Sequence, residues 1–101
     1  MGRRIVFRPA ARADLKAIYH YVAEQAGRQV VGAYIDRIEA ACMVLVIFPE
    51  RGTLRDDLSP GVRIIGFERR ISIAFTVDEN TVRVVRVLYG GRDYPQEWSG
   101  N

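Results

Sequence analysis

The chain has 101 residues, of which 49% are hydrophobic and 27% are charged, and its formal net charge is +3. This length is typical of one domain, residues 1–101, with one modest core, and it excludes a second core. The composition is that of an ordinary globular protein and excludes a disordered chain or one with a membrane-spanning apolar run. The mild positive charge is compatible with an acidic protein partner or a phosphate backbone, and it identifies neither.

The cysteine and the adjacent acids limit the kinds of site that the chain can build. Cys42 is the only cysteine, so an internal disulfide and a cysteine-based zinc site are excluded. It lies in an apolar helical run, where we expect a small buried hydrophobe. Asp56 and Asp57 lack further ligands at a useful spacing, so we expect no metal and no cofactor. The cysteine usage and the absence of a signal-peptide pattern favour a cytoplasmic location.

Periodicity predicts one short strand followed by two helices. Residues 4–8 alternate as a first strand, which ends at Pro9 because proline cannot donate to a ladder. Residues 10–26 carry one apolar stripe at 3–4 spacing, and Gly27 is a natural left-handed stop. Residues 28–48 form a second helix whose last part is apolar all round and needs cover on several sides. The short break at Gly27 predicts an antiparallel helical hairpin.

A polar connection over residues 50–60 leads into three short strands. Residues 61–67 form the first, and residues 70–77 show the cleanest alternation in the chain. Residues 81–89 carry apolar side chains on both parities, which predicts a central strand that is covered on both faces. The tight polar turns between these segments predict an antiparallel meander.

The predicted order is β-α-α-β-β-β, which indicates an α+β fold. The helical hairpin is expected to pack on one face of a four-stranded antiparallel sheet, to which the first strand adds. The face left open is expected to carry Arg70, Ser72 and Thr76, with whichever of Arg63, Arg83 and Arg86 share it.

Polar and aromatic residues follow the last strand. The glycine pair at 90–91 permits a sharp change of direction there. We therefore expect Arg92, Asp93 and Tyr94 to lie at the strand's C-terminal mouth, near Arg86 and Tyr89. Together they make a plausible working surface, and the alternative is a strand exit with a solvated ion pair.

Motifs along nearly the whole chain resemble one family of proteins. They lie at residues 13–15, 18–19, 38–45, 48–49, 52, 58, 61–63, 71–75, 84–88 and 92–93. In this order and spacing the chain resembles the RelE/ParE superfamily of small bacterial toxins, and more closely its ParE branch. The resemblance implies the toxin of a type II toxin–antitoxin pair, neutralised by a small ParD-like antitoxin that carries the DNA-binding part. ParE-like members inhibit DNA gyrase, whereas RelE-like members cleave mRNA.

The two activities need different residues. Metal-free RNA cleavage needs a base, an acid and cations on the phosphate. If the chain is a nuclease, its site would be Arg63, Arg86, Tyr89 and Arg92, but a general base near the open face is missing. His20 lies on a helix, and many relatives carry a histidine where Tyr89 stands. We therefore expect gyrase inhibition by binding, not catalysis, and keep RNA cleavage and a decayed toxin that only binds its antitoxin as alternatives.

Two binding surfaces are predicted on this basis. The hypothesis for the gyrase surface comprises Arg63, Arg86, Tyr89, Arg92, Tyr94 and Trp98, although Trp98 is equally compatible with a cap on the sheet. The antitoxin is expected in an apolar groove between hairpin and sheet, lined by Tyr21, Tyr34, Leu45, Phe48 and Arg70. We expect no membrane contact and no sequence-specific DNA binding by this chain alone.

Overall fold

The strand that the sequence predicts to be central lies in the interior of the sheet. The computed structural model describes residues 3–90, so Arg92, Tyr94 and Trp98 of the predicted gyrase surface lie outside the described residues. The elements are β1 (Arg4–Phe7), α1 (Pro9–Ala26), α2 (Arg28–Ile47), β2 (Thr53–Leu54), β3 (Arg63–Phe67), β4 (Ile71–Val77) and β5 (Thr81–Tyr89). Within the described part of the chain the strand order is β1-β5-β4-β3-β2, so β5 has a neighbour on each side.

The predicted α+β fold is confirmed, and the predicted β3-β4-β5 meander is antiparallel. The sheet differs from the expectation in two respects. β1 joins β5 in parallel, with Arg4 opposite Thr81 and Phe7 opposite Val84, so the sheet is mixed. This follows from the two helices after β1, because a crossover connection returns the chain in the same direction. The short strand β2 also adds an edge next to β3.

The helical hairpin turns at Gly27. This glycine has φ +96°, and its N–H donates to the Ala23 carbonyl at 2.9 Å. α1 begins at Pro9, one residue before the predicted start, because proline is favourable in the first helical turn. Among residues 3–90, no helix is long and apolar enough to cross a membrane.

The core lies between the hairpin and the sheet. α2 contributes one buried stripe at helical spacing: Val31, Tyr34, Ile38, Cys42 and Leu45. Cys42 is fully buried, as predicted, and burial raises the pKa of its thiol to about 12. Leu45, which the sequence assigned to the antitoxin groove, is fully buried in this stripe. It therefore belongs to the core and has no surface to offer a partner.

A β-bulge interrupts the pairing of the two longest strands. Arg86 lies opposite Ala74, whereas Val84 lies opposite Phe75, so Val85 is an extra residue on β5. An extra residue in one strand shifts its alternation relative to its neighbour.

The bulge corrects the predicted alternation of β5. Val82 and Val84 before the bulge, and Val87 and Tyr89 after it, all pack in the core beneath the helices. Strict alternation placed Val82 and Val84 on one face of the sheet and Val87 and Tyr89 on the other. That prediction is wrong for the residues after Val85. The bulge thus places Tyr89 on the side of the helices.

The face of the sheet away from the helices is less open than predicted. Ser72 and Thr76 are half-buried, and Ala74 is 0% exposed. Ala74 is a small residue between two much longer cross-strand neighbours, Ile64 and Arg86, which explains its burial.

Candidate functional site

A cavity of about 460 Å³ lies between α1 and the C-terminal half of β5. The pairing of β1 with β5 stops at Val84, so the rest of β5 packs next to α1 instead of next to a strand. Residues from α1, from the β3–β4 turn and from β5 line the cavity: Asp14, Ala17, Ile18, Tyr21, Arg70, Arg86, Val87, Leu88, Tyr89 and Gly90.

An ion pair fixes one wall of the cavity. The Arg86 guanidinium donates from Nε to Asp14 Oδ2 at 2.6 Å and from Nη2 to Asp14 Oδ1 at 2.8 Å. The Val87 N–H also donates to Asp14 Oδ2, at 2.9 Å. The side chains are 15% exposed for Asp14 and 28% exposed for Arg86, so the pair is largely shielded from water. The hydrogen bonds from Arg86 to Asp14 raise the pKa of the guanidinium, which therefore stays charged and oriented.

Two tyrosines form an aromatic wall. The ring centroids of Tyr21 and Tyr89 are 5.4 Å apart, and the rings are tilted by 58°. Tyr21 is 50% exposed, so this wall is accessible from solvent.

A third tyrosine lies behind this wall. The Tyr34 hydroxyl is buried and has no hydrogen-bond partner among residues 3–90. Burial raises the pKa of Tyr34, with smaller contributions in the same direction from Tyr89 and Glu68. Tyr34 does not line the cavity itself, and its ring packs against Phe67 with centroids 6.3 Å apart.

The β3–β4 turn supplies the cation at the mouth of the cavity. Arg70 is exposed, and its carbonyl accepts the Gly90 N–H at 2.7 Å. The two residues before it, Glu68 and Arg69, have φ values of +48° and +66°. Arg37 of α2 holds the Glu68 carboxylate with hydrogen bonds of 2.9 and 3.2 Å. This pairing lowers the pKa of Glu68, because it favours the charged carboxylate.

The structure brings together only part of the predicted gyrase surface. Arg86 and Tyr89 both line the cavity, but Arg63 does not. The Arg63 guanidinium donates to the Glu50 carbonyl at 3.0 Å. Its partner on β4 is Phe75, whereas Tyr89 lies opposite Ile71. Four residues of β4 separate these positions, which corresponds to about 13 Å along the strand.

The predicted antitoxin residues lie at both ends of the hairpin. Tyr21 and Arg70 line the cavity, and Tyr34 is close to it. Phe48 follows the far end of α2, about 20 Å from Tyr34 at the rise of an α-helix.

An exposed apolar patch surrounds Phe48, and we call it the α2-end patch. It comprises Met43, Val44, Ile47, Phe48 and Leu54. Ile47 is 70% exposed and Phe48 is 54% exposed, and both line a shallow cavity of about 390 Å³. Clustered apolar side chains at the surface of a small protein are typical of an interaction site.

Asp14 is a site residue that the sequence analysis missed. It entered only as part of a family motif and received no role. A signal was available, because Asp14 lies three residues after Ala11 and four before Ile18, on the buried stripe of α1. A carboxylate on a buried stripe needs a partner. Its partner, Arg86, is 72 positions away and could not be identified from spacing alone.

The chemistry of the cavity favours binding over proton transfer. Both oxygens of Asp14 accept hydrogen bonds, so this carboxylate is poorly placed to accept a proton. His20 packs edge-on against Tyr19, with centroids 5.8 Å apart, and does not line the cavity. Among residues 3–90, no cluster of histidine, cysteine and acidic side chains could hold a metal ion.

Comparisons with known proteins agree with the resemblance found in the sequence. The family model for the ParE toxin of the type II toxin–antitoxin system parDE matches residues 5–94. Toxin ParE3 of Caulobacter vibrioides is 33% identical over 90 residues, which cover 89% of this chain and 88% of that protein. A solved structure of the chromosomal ParDE toxin–antitoxin system from P. aeruginosa is similar, with a TM-score of 0.76 and 25% identity over 87% of this chain and 96% of that one. The chain therefore belongs to the ParE toxin family of type II toxin–antitoxin systems.

Proposed function

We propose that the chain is a toxin that inhibits DNA gyrase by binding it in the cytoplasm, and that a ParD-like antitoxin neutralises it. The observation that favours binding over catalysis is the set of hydrogen bonds that Asp14 accepts. This carboxylate is the acidic group in the cavity lining, and its oxygens already accept three hydrogen bonds. A general base must be within reach of the proton that it accepts, whereas Asp14 is held in its pair with Arg86 and by the Val87 N–H. The cavity is therefore suited to hold a partner rather than to cleave RNA.

The proposed gyrase surface is built around the fixed cation of the cavity. Arg86 is held in a bidentate geometry, so little side-chain entropy is lost when a partner contacts it. Tyr89 adds an aromatic anchor beside it, and residues of this type carry much of the energy of interfaces. Arg92, Tyr94 and Trp98 are proposed to extend this surface. Arg63 is left out, since it does not line the cavity and donates to the Glu50 carbonyl instead.

The proposed antitoxin surface has two parts. One part is the cavity end, with Tyr21 and Arg70, and the other is the α2-end patch around Ile47 and Phe48. Along α2, Tyr34 near the cavity and Phe48 at the patch are about 20 Å apart, which a segment of about 14 helical or 6 extended residues can span. An antitoxin segment that covers both parts would remove the exposed apolar surface from water and also block the gyrase surface.

Controlled expression of the chain without a partner tests the proposed function in cells. We expect growth arrest with filaments typical of DNA damage, and rescue when a cognate antitoxin is co-expressed. Rapid loss of translation would instead indicate RNA cleavage. Normal growth at a verified protein level would indicate a decayed toxin.

A variant pair connects this phenotype to the site. Tyr89→Ala removes the aromatic anchor of the cavity, and Arg12→Ala removes an exposed arginine of α1 that does not line the cavity. We expect Tyr89→Ala to abolish growth arrest and Arg12→Ala to retain it. Equal toxicity of both variants, at equal levels of folded protein, would remove the cavity from the mechanism.

A further inference from the structure

The cavity beside β5 has the size and wall chemistry of a small-molecule site. Its volume of about 460 Å³ falls within the range of ligand pockets, roughly 300–1,000 Å³. Its lining includes two tyrosines, Tyr21 and Tyr89, and two arginines, Arg70 and Arg86. A concave lining of this size can hold a small molecule as well as part of a protein partner.

Among the lining residues that the structure describes, one guanidinium has no counter-charge. Arg86 is neutralised by Asp14, whose carboxylate it binds through two hydrogen bonds. The side chain of Arg70 has no hydrogen-bond or ion-pair partner within residues 3–90, although Arg70 lines the same cavity. A guanidinium has donors spaced to bind two oxygens of a phosphate at once. The cavity therefore favours a ligand with a single anionic group near Arg70.

The turn that carries Arg70 is a tight hairpin turn. Glu68 and Arg69 both have positive φ, as the central residues of such a turn require, and the Arg70 N–H donates to the Phe67 carbonyl at 3.3 Å. Glycine and asparagine adopt positive φ more readily than these two residues do, so contacts from outside help to hold the turn. The bidentate contact from Arg37 to Glu68 stabilises the turn from outside. The contact from Arg37 to Glu68 and the hydrogen bond from the Gly90 N–H to the Arg70 carbonyl hold Arg70 beside the cavity.

The two tyrosines of the lining, Tyr21 and Tyr89, are suited to contact a planar ring. The Tyr21 and Tyr89 rings are tilted by 58° and offer faces on which a base can stack. The Tyr34 hydroxyl is a buried donor without a partner among the described residues.

We propose that this cavity binds a nucleoside monophosphate, with the base against Tyr21 and Tyr89 and the phosphate on Arg70. The size argues for one nucleotide rather than a longer strand, because the volume of about 460 Å³ is that of a site for one small molecule. This inference concerns binding alone and does not depend on gyrase inhibition.

Calorimetric titration of the purified chain at fixed ionic strength tests this inference. The probes are AMP, adenosine, inorganic phosphate and phenylacetate, the last of which carries a ring and a carboxylate without a nucleoside. We expect AMP to bind at least about tenfold more tightly than adenosine, phosphate or phenylacetate, since only AMP satisfies both walls.

Three variants locate the site. Arg70→Ala is expected to weaken AMP binding by roughly 10-fold to 100-fold and to leave adenosine binding unchanged, because the lost contact is charge-assisted. Tyr21→Ala is expected to weaken AMP and adenosine equally. Arg12→Ala is the matched control and is expected to bind AMP like the unmodified chain. Thermal unfolding of each variant shows that it is folded, and Arg70→Lys, which keeps the charge, is expected to retain part of the affinity.

Several outcomes would overturn the inference. AMP that binds no better than phosphate would remove the role of the aromatic wall. Equal affinities of Arg70→Ala and Arg12→Ala for AMP would remove the assigned role of Arg70. Phenylacetate that binds as tightly as AMP would show a general site for aromatic anions and contradict the nucleotide assignment.

Discussion

At the scale of single residues, the Asp14–Arg86 pair does most to define the site. It connects the first helix to the central strand and gives the cavity an oriented cation. Asp14 also accepts the Val87 N–H, so it replaces the strand neighbour that β5 lacks beyond Val84. Loss of this carboxylate therefore affects both a charge and a backbone donor.

Substitution of Asp14 tests this double role. Asp14→Asn keeps the shape but leaves Arg86 partly buried without a counter-charge, and we expect it to lower the free energy of unfolding by about 2 kcal/mol. Asp57→Asn is the control, because the Arg55–Asp57 pair is exposed and we expect a change below about 1 kcal/mol. Urea denaturation at pH 7 measures both. Equal effects of the two substitutions would show that the Asp14–Arg86 pair is no more important than a surface pair.

The Arg37–Glu68 pair makes the stability of the folded chain depend on pH. Pairing with Arg37 lowers the folded-state pKa of Glu68 below the unfolded value. The stability that this pair contributes is therefore fully present above the ordinary carboxyl pKa of about 4.3 and is lost as the pH falls through the lowered pKa. Glu68→Gln is expected to make denaturation curves at pH 7 and pH 3 differ less than they do in the unmodified chain. An unchanged difference would contradict a role for this carboxylate.

At the scale of elements, the edge strand β2 depends on a glycine. A Cβ at Gly52, which has φ +78°, would lie 2.4 Å from the Ile64 carbonyl oxygen. Gly61 has almost the same φ, +80°, but a Cβ there would contact nothing within 4 Å. Gly52 is therefore required for two reasons: its φ is positive, and a side chain there would clash with the backbone of β3.

This pair of glycines separates the two effects experimentally. We expect Gly61→Ala to lower the free energy of unfolding by about 1–2 kcal/mol, the strain of a left-handed alanine. Gly52→Ala carries the same strain and in addition a clash with backbone, so we expect a loss larger by at least about 1 kcal/mol. Thermal or urea unfolding measures both variants. Equal losses would show that β2 can move away from β3 without penalty.

Sequence pattern predicted the elements well and their geometry less well. The helices, the hairpin at Gly27 and the meander follow from local periodicity and turn residues. The bulge at Val85 has no glycine or proline to indicate it, because it arises from the register with β4. That one residue reverses the predicted face of Tyr89. The sequence also grouped Arg63 with Arg86. Their partners on β4, Phe75 and Ala74, are adjacent, but only Arg86 lines the cavity.

At the scale of the whole molecule, the chain presents different chemistry at its two ends. One end carries the cavity with Arg70 and Arg86, and the other carries the α2-end patch. A partner that covers both ends must be extended along α2. This arrangement explains how one antitoxin segment can satisfy the apolar patch and compete with a gyrase contact at the cavity.

A charged substitution in the α2-end patch tests the antitoxin contact. Ile47→Lys is expected to weaken binding of the cognate antitoxin by at least about tenfold, because it places a charge in an apolar contact. Val6→Lys is the control, since Val6 is also an exposed valine but lies on β1 and lines neither cavity. Titration of each purified variant with the antitoxin measures the effect. Equal binding by the two variants would exclude the patch from the antitoxin interface.

The most direct test of the whole account is a single reaction that contains gyrase, relaxed plasmid, ATP, a labelled RNA and increasing amounts of the purified chain. Supercoiled plasmid and intact RNA are measured in the same samples. We expect supercoiling to fall as the chain is added while the RNA stays intact. The cavity holds an oriented cation, Arg86, and its carboxylate, Asp14, already accepts three hydrogen bonds. RNA that is cut while supercoiling continues would contradict inhibition by binding.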